Sequence, residues 1–467
     1  MNESSARRLK RQFLPIMLAP LLLSACDNNN TVGSEAKRTY TFESRFVAGE
    51  SSVAYNGQTC RHTLITALTN AIKDEAEIAG AEYRGSSVPY FDDTIAGDLA
   101  AQSTEQILGT PLPVLSDQDT LGELCGTSFL KQKFAGNDTV TDWKDWNTQF
   151  QGVNGEVSAE AYLRRLLTEV SNQALNGTHP AGNEHYVSAT GIDYSQMIQK
   201  FLLGALVFAQ GTDDYLDDDF NTPGKGLYAS NAQSGTSPYS GLEHVWDEGF
   251  GYFGAARDYL SRTDEVNRTG VVDDNGDGFI DVRSEHNFGA STNAAKRDVG
   301  ADPSTPTDFT ATAFNAFIQG RTLITDTGVD FSAMTDAQRT ELVSLRNAAV
   351  DAWEAAIVAT VVHYINDTLA DLGAIGAGPA TAAQLADLAK HYSEMKGFAL
   401  GLQFNRLSPI NLEDTANPGQ SLFVTLHELL RDQPTLTDDA TYRANLLEAR
   451  SLLGNLYGFS QANIEGW

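Results

Sequence analysis

Cysteine is scarce in this chain: three residues in 467, none in a C-x-x-C pair or beside a histidine pattern. That removes thiol catalysis and a structural zinc site from consideration. Positive charge is also short. Thirty-two Lys and Arg stand against 61 Asp and Glu, a formal net charge of −29, so nucleic acid and anionic lipid surfaces are poor partners. The recurrent catalytic motifs are missing as well. There is no G-x-S-x-G elbow, no H-E-x-x-H helix, no P-loop and no dinucleotide fingerprint, and no serine is placed beside a His and an Asp. Enzymatic activity is therefore not the leading expectation.

What is present begins at the N-terminus. Arg7, Arg8, Lys10 and Arg11 precede an apolar run from Phe13 to Leu23, the pattern of an export signal and too short to span a bilayer. Leu23-Ser24-Ala25-Cys26 resembles the lipobox of bacterial lipoproteins, in which the cysteine is acylated after cleavage. The expectation is a signal peptide over residues 1–25, a lipid on Cys26, a flexible polar tether over 26–38 and one domain over 39–467. The domain would be anchored to a membrane through its lipid and would face the periplasm, with inner or outer membrane left open. Setting Cys26 aside leaves Cys60 and Cys125, an even pair in an oxidising compartment, and predicts a disulfide. The acidity suits a solvated surface and is compatible with cation binding.

Helical periodicity dominates. Leu64, Ile65, Leu68 and Ile72 recur on one face, as do Tyr162, Leu163, Leu166, Leu167 and Val170. The longest segment runs from Asp336 to Leu372, with Thr335 and Gln338 as a capping box and Gly373 beyond its end. Its apolar centre, AAIVATVVHYI, predicts a buried spine. Further helices are expected over 194–210, 382–404 and 440–456, the last behind Thr437 as N-cap. Long polar loops are expected over 213–237, 263–307 and 411–420, and Tyr40 and Phe42 alternate as in a short edge strand. Tyr194-Ser195-Gln196-Met197 with Lys200, Phe201 and Gly204 parallels Tyr392-Ser393-Glu394-Met395 with Lys396, Phe398 and Gly401. A duplication of this kind implies two related helical bundles. The fold class is all-α.

Two stretches carry candidate chemistry. In GLEHVWDEGFGYFG, His244 and Glu248 are four apart and His244 and Asp247 three apart, so one helical turn offers nitrogen and oxygen ligands to a metal. Glu243 and Asp247 form a second i, i+4 pair. A helix-start histidine with Trp246, Phe250 and Phe253 in the core is the alternative. In DDNGDGFIDVRSE, Asp273, Asn275, Asp277 and Asp281 with the Phe279 carbonyl match the oxygen spacing of a calcium loop. Ser284 stands where an EF-hand has its glutamate, and Glu285 comes one step late; an Asp/Asn/Gly turn is the alternative. His363, in the spine with Asp367 one turn on, must find a polar partner or stay neutral. His185, His286 and His391 receive no role.

The stretches VAYNGQTCRHTLITAL, GLEHVWDEGFGYFGA, AFIQGR, VVHYINDTLADLG, MKGFALGLQFNRLSP and EARSLLGNLYGF resemble, in this order, a family of bacterial envelope lipoproteins known only as a domain of unknown function. More distantly the chain resembles the imelysin-like group, which includes iron-regulated protein A. That resemblance implies paired helical bundles, a G-x-H-x-x-E motif and a link to iron or another transition metal. Here Gly241 lies three before His244, and Asp247 then Glu248 follow, so the motif is displaced and proteolysis is not implied. The combined expectation is a lipoprotein that binds a metal ion or metal complex and works with metal-uptake proteins of the envelope. The alternatives are a calcium-stabilised protein-interaction module and an imelysin-like metal-dependent peptidase.

Overall fold

The computed structural model describes residues 37–137, 142–218 and 224–467. The expected signal peptide, the acylated Cys26 and nearly all of the tether lie outside them. The described chain is all-α. Its main helices are α1 (Asn56–Lys73), α2 (Ala159–Asn176), α3 (Tyr194–Leu202), α4 (Gly241–Phe253), α5 (Gly289–Val299), α6 (Phe309–Thr327), α7 (Asp336–Ile375), α8 (Ala382–Gly401), α9 (Leu422–Leu430) and α10 (Ala440–Tyr457). Among the described residues there is no strand, only isolated bridges such as Glu43 with Ser51. Tyr40 and Phe42 alternate because they bury: Tyr40 stacks on Phe250 at 3.8 Å between ring centres instead of joining a sheet.

The spine, α7, starts at the Thr335–Gln338 capping box and runs 40 residues, past Gly373 to a cap at Gly376 with φ 65°. By length and composition it could cross a membrane, but 72% of its most apolar window is buried within the fold. Its neighbours are α5, α6, α8 and α10. The last long helix is capped by Asp439, not Thr437, because the Asp439 carboxylate reaches the Tyr442 N–H. Within the expected 263–307 loop, Gly289–Val299 is helical. Its buried face is made of Ala290, Ser291, Ala294 and Ala295, residues too small to give a strong apolar period.

The two similar segments pack on each other. A Cβ on Gly204 would stand 2.4 Å from the Gly401 Cα, so the backbones meet there and only glycine fits. Beyond α3 the helix expected over 194–210 changes character and reaches into the stretch expected as a loop from 213. It continues as π-helical turns over Leu203–Phe208 and Gln210–Tyr215, with Gly211 pressed against the Trp353 ring. Cys60 and Cys125 form the expected disulfide, with Cα atoms 4.9 Å apart. Residues 37–467 form one compact unit around one continuous apolar core, so the two expected bundles share a single interior. A small satellite of Val114, Ile280, Val282 and Phe288 lies beneath the acidic loop.

Candidate functional site

Helix α4 begins at a capping box in which Ser240 and Glu243 satisfy each other's backbone N–H groups. The second oxygen of Glu243 accepts from Arg321 Nη1 at 3.0 Å and Arg45 Nε at 2.9 Å. One turn on, Asp247 Oδ1 accepts from Arg321 Nε at 2.9 Å and the Tyr40 hydroxyl at 2.8 Å. Arg321 Nη2 completes its fork on Ser52 Oγ. The side chains of Arg321, Glu243 and Asp247 have no solvent exposure. Burial pushes both carboxyls up. At Glu243 the Arg321 charge, the Ser240 N–H and Arg45 outweigh it and hold the group below its ordinary value. At Asp247 burial prevails and the group stays raised.

The four expected metal ligands are therefore divided between two faces. Glu243 and Asp247 are committed to a guanidinium. His244 stacks on Tyr239 at 4.4 Å, with Nε2 3.8 Å from Glu248, whose other oxygen accepts from Gln58. Among the described residues, no three His, Cys, Asp or Glu side chains are grouped so as to hold a metal ion. Arg321 is the partner that sequence reasoning passed over. Its signal was an arginine inside the otherwise apolar AFIQGR helix, which must find carboxylates to be buried. Gly320 beside it is equally constrained, since a Cβ there would fall 2.0 Å from the Trp246 ring.

A second polar centre, unforeseen from the sequence, lies where a strap over residues 151–156 crosses α8 and the end of α9. Gln151 and Gln403 exchange two hydrogen bonds of 3.1 Å. Lys396 Nζ donates to the Gly152 carbonyl at 2.7 Å and faces Asp432 Oδ1 at 3.4 Å. Asp432 Oδ2 accepts from the backbone and side-chain nitrogens of Asn154 at 3.1 and 2.7 Å. Val153 and Asn154 with Asp432 and Gln433 form a partition between two cavities of about 630 Å³ each. One is bordered by His427, Glu428 and Arg431; the other by Glu156, Arg165, Glu169, Tyr194 and Lys396. Gly152 has φ +92°, and a Cβ there would meet Leu400 and His427. Burial pushes the Lys396 ammonium down to about 8 against the pull of Asp432. Burial and the Lys396 charge push the His427 imidazole well below its ordinary value, against the weaker pull of its hydrogen bond to the Ala399 carbonyl.

Residues 168–408 match a family described as Domain of unknown function (DUF4856). The chain belongs to this family. Comparison with curated proteins and with solved structures finds no match. The DUF4856 segment contains α4, Arg321 and Lys396, whereas the strap and α9 with His427, Arg431 and Asp432 lie outside it.

The acidic loop also lies in the DUF4856 segment. Asp273 accepts from the N–H groups of Gly276 and Gly278, Asn275 from that of Asp277, and Asp277 from that of Phe279. Glu285 accepts from the N–H groups of Asp274, Asn275 and Asp281, and Asp281 from Gln118 and Ser284. The loop thus closes on its own Asx turns, with Glu285 turned inward. Phe279 is exposed. Of the other histidines, His363 stands 3.3 Å from Asp367, and His391 lies 2.8 Å from Asp371 and 4.0 Å from Asp367. Burial and Arg297 lower His363; the Asp371 hydrogen bond raises His391 against its burial. His185 meets the Ile72 carbonyl at 2.8 Å, and His286 stacks on Phe288.

Proposed function

We propose that the chain is an exported lipoprotein of the cell envelope, held by an acylated Cys26 and facing the periplasm, that binds a solute in the strap-divided cleft without transforming it. The observation that carries this reading is Lys396. Its side chain is 1% exposed, and it holds the strap across two cavities. Burying an ammonium costs several kcal/mol unless its partners offset the loss of water, and a loop fixed for packing alone needs no charge beneath it. The resulting walls are preformed, concave and polar, and 630 Å³ lies within the roughly 300–1,000 Å³ of ligand pockets. Among the described residues Lys396 is the one amine lining the two cavities, and its engagement as a pin favours binding over turnover.

Metal enters this reading as part of a solute, a metal complex delivered to uptake proteins of the envelope. Arg321 occupies Glu243 and Asp247, which leaves His244 and Glu248 as the side-chain donors on the outer face of α4. An imelysin-like architecture of related halves is part of the proposal, favoured by the meeting of the two similar segments at Gly204 and Gly401. Calcium is proposed only as a structural ion of the Asp273–Glu285 loop.

To test the reading, the full chain is purified from membranes without chelator, then denatured, and the released material is analysed by mass spectrometry and elemental analysis. A solute near one per chain, lost from a Lys396→Met variant with unchanged helical circular dichroism, is the expected result. Release of no solute, with copurification of an envelope protein, would overturn it in favour of the interaction module. Chelator-sensitive cleavage of peptides would overturn it in favour of the peptidase.

A further inference from the structure

The cavity walled by α2 has an excess of carboxylate over cation. Glu156, Glu169 and Asp432 border it, against Arg165 and Lys396. Lys396 serves Asp432 and the Gly152 carbonyl. Arg165 is shared: its Nε lies 2.6 Å from Glu156 Oε1 on the strap, and its Nη1 2.8 Å from Glu169 Oε1. The other Glu169 oxygen accepts from the Tyr194 hydroxyl at 3.2 Å. Among the described residues, the other Glu156 oxygen accepts from no group. One guanidinium thus faces two carboxylates, and the uncompensated charge falls on Glu156.

An acidic cluster alone is most often a solvated face; Tyr162 sets this one apart. Tyr162, Arg165 and Glu169 are spaced three and four apart on α2 and share its cavity face. Tyr162 is 3% exposed, with its ring packed on Phe150 and Phe201. Among the described residues its hydroxyl makes no hydrogen bond, although a tyrosine O–H buried that deeply usually finds a partner. Burial pushes the phenol up, Arg165 draws it back, and Asp432, Glu169 and Glu156 push it further. The oxygen therefore lies where the charges around the cavity converge. Phenylalanine would pack on the same rings, so what tyrosine adds here is a polar atom facing the cavity.

We propose that this cavity holds its solute by a primary ammonium group, with Glu156 as the charge partner and the Tyr162 oxygen as a second acceptor. This rests on the solute-binding reading and names the group by which the solute is held. An ammonium carries three donors and no acceptor, which complements a wall with carboxylate to spare. Its bonds to a carboxylate are charge-assisted and stronger than neutral ones. A carboxylate solute would meet like charge at Glu156, and an uncharged polyol would leave that charge uncompensated.

The experiment is isothermal titration of the full chain in a non-ionic detergent with putrescine and butylamine, and with butanediol as the uncharged counterpart. The variants are Glu156→Gln and Tyr162→Phe. Wild type is expected to bind at least one amine about tenfold or more tighter than butanediol. Glu156→Gln should lose that preference. Tyr162→Phe should weaken amine binding several-fold without lowering the melting temperature, because the hydroxyl has no partner in the fold to lose. Equal binding of butanediol, wild-type amine affinity in either variant, or no binding of either amine would overturn the proposal. If neither amine binds but a solute without an amino group is released from the purified chain, the ammonium assignment alone falls and the cleft reading stands.

Discussion

Glu354 sits in the middle of the spine, 2% exposed, where no solvent can screen its charge. One oxygen accepts from the Ser408 hydroxyl at 2.6 Å and from Tyr457, and the other from the Asn405 amide. Burial nevertheless raises its carboxyl from 4.5 to about 7, with the three donors pulling the other way. Between those values the folded protein holds a proton that the unfolded chain has released. The stability contributed by this group is therefore fully present below about 4.5, and is lost as pH rises through about 7. At about 1.4 kcal/mol per pH unit, the interval corresponds to a loss of about 3 kcal/mol. Glu354→Gln fixes the neutral state, since its amide can donate to the Ser408 and Tyr457 hydroxyls, which rotate to accept. The assay is equilibrium urea unfolding of both proteins from pH 5 to pH 8, taken as a difference so that all other titrations cancel. The variant should gain on wild type from pH 5 up to about pH 7, by about 2–3 kcal/mol in total, and the difference should level off above it. A difference that stays flat with pH, or one that grows in favour of wild type, would refute the account.

Arg321→Met should cost about 3–5 kcal/mol by leaving Glu243 and Asp247 buried without their cation, read as a fall in urea midpoint. Adding Asp247→Asn should restore part of it, a coupling that a double-mutant cycle measures. Replacing Cys60 and Cys125 by Ser opens a 65-residue separation and should cost about 4 kcal/mol on loop-entropy grounds; the same loss on reducing wild type would confirm the source. Calcium added to the chain should raise its melting temperature by linkage if the Asp273–Glu285 loop binds it. The shift should vanish in Asp277→Ala, and its absence in wild type would dismiss the ion.

The spine was legible because its signals are local: a capping box three residues wide and an apolar run too long for a strand. The disulfide followed from the parity of the cysteines and the expectation of an oxidising compartment. Helix α5 escaped notice because alanine and serine bury well but carry little periodic contrast. The π-helical turns after Leu202 escaped it because they depend on how closely Gly204 and Gly211 approach Gly401 and Trp353, which is tertiary information. In GLEHVWDEGFGYFG the side chains fall on helix faces as their spacing requires, but spacing cannot tell a metal from a guanidinium as the carboxylates' partner. The choice lies in Arg321, 74 residues from Asp247. The cleft is still less local, assembled by Lys396 on Gly152 across 244 residues and by Gln403 on Gln151 across 252.

The chain contains buried charge in two conditions, and the difference decides where binding is to be sought. Around Arg321 every strong donor meets an oxygen: the guanidinium reaches Glu243, Asp247 and Ser52, and Tyr40 and Arg45 take remaining positions on the same carboxylates. Such a network is closed; a ligand would have to break it before gaining anything. Around Glu354 the three donors likewise close on the carboxylate. Beneath the strap the match is looser: the buried Lys396 ammonium donates to the Gly152 carbonyl at 2.7 Å and stands 3.4 Å from Asp432, between the two cavities. Polar groups desolvated without compensation cost free energy in the folded protein, and a ligand that supplies the missing partners recovers it. Closed networks fix the scaffold, and the looser one borders the space in which the proposed solute would be held.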